Sequence, residues 1–250
     1  TSTTQEGRGI YSSSVGNFMI EVFGTEVQVT ESSGFPTHTL TQTILSGALS
    51  STVGPVYFAE NNNEQILITD GIKIYVVAYS IGTFPVGGSV AEVVAAFITA
   101  PGYVTFQNGR FLVADTSNTN WYLSGFNNAT FVQDAQHTGA IQTKPDKAQA
   151  AIPIPGGGDN LLVLGHIVSE LWQDVGNALF PYVRQSSYNI DYGCLNASSI
   201  AFMDEYIVWL SANDKAGPVV VVFSHNSVTP VSTDGIDFKL ANLTNPSNCF

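Results

Sequence analysis

Basic residues are scarce in this chain: eight Lys and Arg stand against 20 Asp and Glu over 250 residues, a formal net charge of −12. No window holds the cluster of Lys and Arg that a protein gripping phosphates needs. Tight nucleic-acid binding is therefore not expected; the acidity either serves only to keep the chain soluble or forms an acidic wall that permits a polyanion weak sliding contact. Charge of either sign is thin, at 11% of residues, so solubility rests on Gly, Ser, Thr and Asn. Such a surface suits a subunit whose faces are covered by partners, although secreted and viral β-proteins share it for unrelated reasons. Cysteine is nearly missing: Cys194 and Cys249 read as two unrelated thiols, their pairing left open, with no C-x-x-C and no His/Cys spacing that would hold zinc. Long apolar runs are missing too. Residues 72–79 and 218–223 are among the longest and fall far short of the ~18 that suggest a membrane span, and no signal peptide precedes them. There is no G-x-S-x-G, phosphate loop or H-E-x-x-H, which removes those enzyme classes. His38, His137, His166 and His225 stand isolated and read as surface or satisfied strand residues. No metal, cofactor or catalytic residue is expected.

What is present is repetition. Five short β-rich, aromatic-rich segments have cores near Ile20, Ile66, Phe111, Leu162 and Ile207, about 45 residues apart. That period is the size of a four-stranded propeller blade. Such a unit cannot bury its apolar face alone, so successive units must stack. The expected fold class is all-β and β-propeller-like, with about five blade-like antiparallel units. Asp70-Gly71, Asn108-Gly109 and Asp234-Gly235, each flanked by apolar residues, supply the positive φ that a hairpin tip needs.

Along the chain, residues 1–16 read as a loop or arm and 17–240 as the propeller-like domain. In the first unit strands are expected at 18–23 and 26–30, joined at Gly24-Thr25, with two weaker ones around 39–45. The second has 56–59, 65–69 and 72–79. Residues 89–100 are ambiguous: Ser89 with Glu92 fits a capping box, while Val90, Val93, Val94, Phe97 and Ile98 favour a strand. The third has 103–106, 110–114, 121–124 and 130–133, with a polar loop at 115–120. Residues 137–160, rich in Gly and Pro, read as an inter-blade connection. The fourth unit has 161–165, 169–173 and 180–184, and the fifth has 199–203, 206–211, 219–224 and 228–231. Trp172 and Trp209 fall where a blade packs on its neighbour. Residues 241–250 look like the start of a further segment, and the chain reads as a piece of something longer.

Two other chemistries fit parts of the sequence. Sialidase-like propellers hold a carboxylate with three arginines beside a tyrosine nucleophile, and this chain has only Arg8, Arg110 and Arg184, but the S-x-D-x-G-x-T-W turn of that class is missing. Aromatics beside Asn and Asp, at 118–122 and 188–192, could stack on sugar rings, so a glycan-binding, lectin-like propeller for receptor recognition is an alternative.

From Leu161 onward a specific order emerges: N-L-L-V-L-G at 160–165, S-E-L-W at 169–172, F-P-Y-V-R at 180–184, Tyr192-Gly193-Cys194, the apolar stretch 202–210 with Trp209, and P-V-S-T at 230–233. This order resembles the packaged DNA stabilisation proteins of short-tailed phages, also described as tail accessory or tail hub proteins. Arg8-Gly9-Ile10-Tyr11, followed by 18–29, is similar to the start of that family's first blade. The E-V-W-Y strand of the family after Trp172 is degenerate at 176–180. The resemblance implies a non-enzymatic virion protein of the tail, several copies in a ring, six on that pattern. The ring would sit below the portal and its adaptor (head completion) protein and adjoin tail needle, tailspike or fibre proteins. It would retain packaged DNA and later conduct it, touching DNA transiently and no membrane. Six copies at −12 each would place −72 around the path. Trp172, Trp209, Tyr192, Gly193 and Cys194 are expected to be structural anchors.

Overall fold

The computed structural model describes residues 5–32, 39–80, 88–188, 190–211 and 217–244. His38, Cys249 and part of 241–250 lie outside the described residues. Twenty strands form five four-stranded antiparallel sheets, each built from one contiguous stretch of chain. The first sheet holds β1 (Gly7–Ser12), β2 (Phe18–Phe23), β3 (Glu26–Ser32) and β4 (Leu40–Ile44). The second holds β5 (Tyr57–Glu60), β6 (Gln65–Thr69), β7 (Ile74–Ala78) and β8 (Val90–Glu92). The third holds β9 (Pro101–Gln107), β10 (Arg110–Asp115), β11 (Asn120–Leu123) and β12 (Thr138–Ala140). The fourth holds β13 (Ala148–Pro153), β14 (Asn160–Gly165), β15 (Ser169–Asp174) and β16 (Tyr182–Arg184). The fifth holds β17 (Ala201–Met203), β18 (Tyr206–Ser211), β19 (Val219–Ser224) and β20 (Ser227–Pro230). A short helix, α1 (Asp234–Ala241), follows.

The five expected core positions each fall on the second strand of a sheet, and all are fully buried. Burying such a side chain contributes about 1.5–3 kcal/mol, so the repeat is an energetic one. β6, β10 and β14 are apolar on both faces and buried on both, the pattern of a strand covered from two sides. Asn108-Gly109 makes the tight turn between β9 and β10, with φ of 49° and 78°. Gly71, at φ 83°, sits in the connection from β6 to β7.

Several expectations are corrected. Residues 1–16, read as an arm, contain β1, which pairs with β2 from Gly7 to Ser12, so Arg8 is a strand residue. A single strand, β4, stands in place of two around 39–45. In 89–100 a three-residue strand forms rather than a helix. Residues 130–133 make only an isolated bridge, Ser124 to Phe131, and the outer strand of that sheet is β12. Residues 137–160, read as a connection, supply β12 to one sheet and β13 and the start of β14 to the next. Asp234-Gly235 opens α1 instead of a hairpin: Asp234 and Asp237 lie at the helix's positive end, and the Asp237 amide donates to the Thr233 carbonyl.

The chain divides into two compact units, residues 1–112 with 123–132, and residues 113–122 with 133–250, the division passing through β10. In the first, Ile20, Val22, Val27 and Val29 of the first sheet pack with Ile66, Ile68, Tyr75 and Val77 of the second into one apolar cluster. In the second, Trp121 is ringed by Trp172, Phe180 and Tyr182, with ring centroids 5.4–5.5 Å away. These edge-on contacts add about 0.5–1.5 kcal/mol each beyond buried area.

Candidate functional site

The chemistry-bearing groups of this chain are buried carboxylates. Among the described residues six acids, Glu31, Glu60, Asp70, Asp115, Asp146 and Glu170, are less than a tenth exposed. A buried carboxylate is tolerable only if its oxygens find donors, and the donors of five of these can be named.

Glu60 ends β5 and accepts from Ser13 Oγ at 2.5 Å, Ser14 N at 2.6 Å, Ser14 Oγ at 2.7 Å and Tyr79 Oη at 2.6 Å. It thereby ties the segment after β1 to the second sheet. Burial alone would raise its pKa, but the bonds from Ser13, Tyr79 and Ser14 outweigh it and hold the carboxyl below its ordinary value. Beside it, burial first and then the negative charge of Glu60 push the Tyr11 phenol up to about 12. Asp70 follows β6 and accepts from the amides of Lys73 at 2.7 Å, Ile72 at 2.9 Å, Ser51 at 2.9 Å and Ser50 at 3.0 Å. Burial opposes and these donors favour its charged form, leaving its pKa lowered.

Arg8, 7% exposed, lies among the same segments. Its guanidinium donates to the carbonyls of Gly54, Gly24 and Ser51, each at 2.7 Å, and to Ser51 Oγ at 2.6 Å. Burial lowers its pKa, with the charge of Asp70 acting in the opposite direction. The fork shape of the group is what lets one side chain reach three carbonyls.

Asp115 closes its own loop through Ser117 N at 3.0 Å, Ser117 Oγ at 2.6 Å and Asn118 Nδ2 at 2.9 Å. Asp146 accepts from the amides of Ile167 at 2.8 Å and Val168 at 3.0 Å, fixing the turn between β14 and β15. Glu170 accepts from Gln142 N at 2.8 Å and Thr143 N at 2.5 Å, takes Trp172 Nε1 at 3.0 Å on its other oxygen, and pairs with Arg184 Nε at 3.3 Å. In each case the named donors come from the protein's own loops and strands, so these acids fix segments to one another.

The expected anchors converge in the second unit. Gly193 lies so close to His166 that any Cβ would collide with the His166 backbone, and its carbonyl accepts Trp209 Nε1 at 2.8 Å. The Cys194 amide donates to the Gly165 carbonyl at 2.7 Å. Its thiol is fully buried and pushed up to about 12 by burial, which leaves it inert as a nucleophile. Trp172 is 3% exposed within the aromatic ring described above. Tyr192 accepts Ser169 Oγ through its carbonyl, while its side chain lines a groove of about 390 Å³ with Tyr188, Asp191 and Asn226.

Of the sugar-stacking candidates, Trp121 and Tyr122 are buried and present no ring to solvent, whereas Tyr188 is exposed. Arg110 donates to the Ser124 carbonyl at 2.7 Å. Each of the three arginines is thus engaged by its own local partners, unlike a carboxylate-binding triad. His137 Nδ1 lies 2.7 Å from Asp134, and His225 Nδ1 lies 2.6 Å from Ser224 Oγ. Among the described residues no group of three His, Cys, Asp or Glu is placed to hold a metal. Sequence reasoning missed the buried acids, although Asp70 and Asp115 stand one 45-residue period apart.

Consecutive four-stranded sheets, apolar between and polar at their ties, define a protein of the β-propeller class. Comparison with known proteins agrees. The chain is similar in structure to the Cps50 (Swd1) β-propeller domain of Myceliophteria thermophila, with a TM-score of 0.56 at 10% identity over 90% of this chain and 72% of that one. It is likewise similar to the WD40 β-propeller domain of Doa1 (0.51; 12%; 91% and 69%) and to a Bacteroides fragilis protein described as a 6-phosphogluconolactonase (0.56; 13%; 89% and 69%). At these identities the likeness shows the fold alone. A search of curated proteins finds no match. The family model Phage_stabilise, described as bacteriophage P22 Gp10, β-propeller, matches residues 3–248. The chain belongs to that family of phage packaged-DNA-stabilisation proteins and is a structural phage β-propeller protein.

Proposed function

We propose that this chain is a subunit of the phage tail hub, acting mechanically: several copies close a ring beneath the portal adaptor, retain the packaged genome and later conduct it. The family match across residues 3–248 carries this reading. Two physical features support it. The buried carboxylates are occupied by the protein's own donors, so they serve rigidity rather than turnover. The balance of 20 acids to eight basic residues leaves no patch for gripping phosphates, as a conduit for DNA requires. In this reading the adaptor and the distal tail proteins, needle, spike or fibre, are the neighbours of the ring, and the virion tail is its location. Electron microscopy of purified protein should show closed rings, and particles lacking the protein should lose their DNA. Persistent monomers together with full genome retention in such particles would exclude the proposal.

A second reading rests on the groove beside Tyr188 and Tyr192, where Asp191 and Asn226 stand ready for sugar hydroxyls. Binding on a glycan array that disappears in Tyr188→Ala would establish it, and a blank array would remove it.

A further inference from the structure

Two of the sheets contain one tie built in opposite directions. Asp70 directly follows β6, in the turn to β7. Its Oδ1 accepts from the turn amides of Ile72 at 2.9 Å and Lys73 at 2.7 Å. Its Oδ2 accepts from the amides of Ser50 at 3.0 Å and Ser51 at 2.9 Å, in the segment that leads into β5. One carboxylate carried by the turn thus binds the turn to the entry of its own sheet.

The turn from β14 to β15 follows the same course. The Gly165 amide donates to the Val168 carbonyl at 2.7 Å, as the Asp70 amide does to the Lys73 carbonyl at 3.3 Å. Gly165 therefore stands where the second sheet has Asp70, with Ile167 and Val168 in the places of Ile72 and Lys73, yet it has no side chain to meet those amides. The carboxylate arrives from the other end of the tie. Asp146, in the segment that leads into β13, accepts through Oδ2 from Ile167 at 2.8 Å and Val168 at 3.0 Å, and through Oδ1 from the Lys147 amide at 2.8 Å. The His166 amide, donating to the Lys147 carbonyl at 3.0 Å, holds the two segments side by side.

The two arrangements exclude each other in space. A Cβ on Gly165 would fall on Asp146 Oδ2, and it would lie 2.9 Å from Ile141 Cδ1, the far end of a side chain that can turn aside. The Gly165 φ is outside the left-handed region, so its backbone accepts other residues, and what demands glycine is the carboxylate of Asp146. Successive amides aimed at one oxygen form a nest that stabilises the anion within it. We infer that the β14–β15 turn is a nest for a carboxylate, filled by Asp146 from the entry segment in the place where the second sheet uses an acid of the turn. Its occupant is then interchangeable. An acid at 165 would serve once 146 is vacated, and a small free carboxylate would enter when neither position carries one.

Urea titration at neutral pH compares wild type, Asp146→Ala, Gly165→Asp and the double variant. Asp146→Ala leaves the nest amides without their acceptor, and Gly165→Asp crowds two carboxylates into one nest, so each should lower the midpoint. The double variant should be more stable than either single one, the two losses cancelling in part. Gly165→Ala on the Asp146→Ala background, which fills the same space without an acceptor, should restore nothing. Sodium formate should raise the midpoint of Asp146→Ala above its value in sodium chloride of equal concentration, and the two salts should act alike on wild type and on the double variant. Where a variant does not accumulate, the yield of soluble protein should rank the chains in the same order. A wild-type midpoint for Asp146→Ala, a double variant no better than the better single one or than its Gly165→Ala counterpart, or formate and chloride acting alike on Asp146→Ala would overturn the inference.

Discussion

The two compact units bury polar ties alike but differ in the core those ties surround. In residues 1–112 with 123–132 the core is mostly aliphatic, from Ile20 and Val22 to Ile66 and Ile68, and Glu60, Asp70 and Arg8 are buried beside it among hydroxyls, amides and carbonyls. In residues 113–122 with 133–250 the buried Asp115, Asp146 and Glu170 have their own donors, but the centre is aromatic, Trp121 ringed by Trp172, Phe180 and Tyr182, and Glu170 is roofed by the Trp172 indole. Polar ties are directional and depend on ionisation. Aromatic contacts depend on shape. A blade-type sheet thus accepts both, provided each buried donor and acceptor is met, and their balance decides how a unit answers to pH and to truncation.

Shape dependence should give the largest effects. In the second unit Gly193→Ala drives a methyl into the His166 backbone, which cannot move without breaking the Cys194 to Gly165 bond. Its cost should exceed the about 1–3 kcal/mol usual for overpacking, and soluble folded protein should fail to accumulate. Gly71→Ala, in the first unit, meets no atom within 4 Å and suffers only its positive φ, at about 1–2 kcal/mol. The yield of soluble protein reads the first effect and urea titration followed by far-UV circular dichroism the second, and a Gly193→Ala protein that accumulates with a urea midpoint equal to that of Gly71→Ala would refute the argument. Trp172→Ala should follow, at about 3–5 kcal/mol. Glu60→Gln, which keeps the shape and removes the charge, should cost about 1.5–3 kcal/mol, and the cost should shrink when Tyr79→Phe is already present, because the two share one bond.

The repeat was legible because its signal is collective. Five apolar strands at a common spacing, with Asn108-Gly109 between two of them, leave little freedom once the second strand of each sheet must be buried. The failures are at edges. β1 is G-R-G-I-Y-S and β12 is T-G-A, short strands whose residues are mostly set by neighbours, Gly139 by the Trp121 ring that fills the place of its side chain. Asp234-Gly235 misled because the dipeptide serves a helix start as well as a turn, and no strand pairs with 236–241 to decide for a hairpin. The candidate site was illegible for a different reason: Asp and Glu carry no mark of burial in sequence, and the donors to Glu60 lie 46–47 residues upstream and 19 downstream. The anchors Trp172, Trp209, Gly193 and Cys194 were readable through the family pattern, yet why the glycine is required emerges only from its contact with His166.

The subtlest expected effect separates the units by acid. Glu60 and Asp70 have folded pKa values below their ordinary 4.5 and 3.8. A depressed carboxyl contributes stability in full above its unfolded pKa and loses it as pH falls through the folded one. The first unit should therefore weaken progressively below about pH 4.5. In the second, Asp134 is also lowered, by its bond to His137, but it is exposed and weighs little. All three tryptophans, Trp121, Trp172 and Trp209, lie in the second unit. Their emission reports that unit alone, while the far-ultraviolet signal reports both. On acidification the far-ultraviolet signal should fall before the tryptophan emission shifts, and Glu60→Gln, which lacks the charged form at every pH, should widen the gap by moving the first transition to higher pH and making it shallower. The alkaline limb is less discriminating. Tyr11, held to about 12, weakens the first unit above pH 10, but the Cys194 thiol, also held to about 12, weakens the second above pH 9. Coincident transitions in acid would mean that both units melt as one and that the polar ties confer no separate sensitivity.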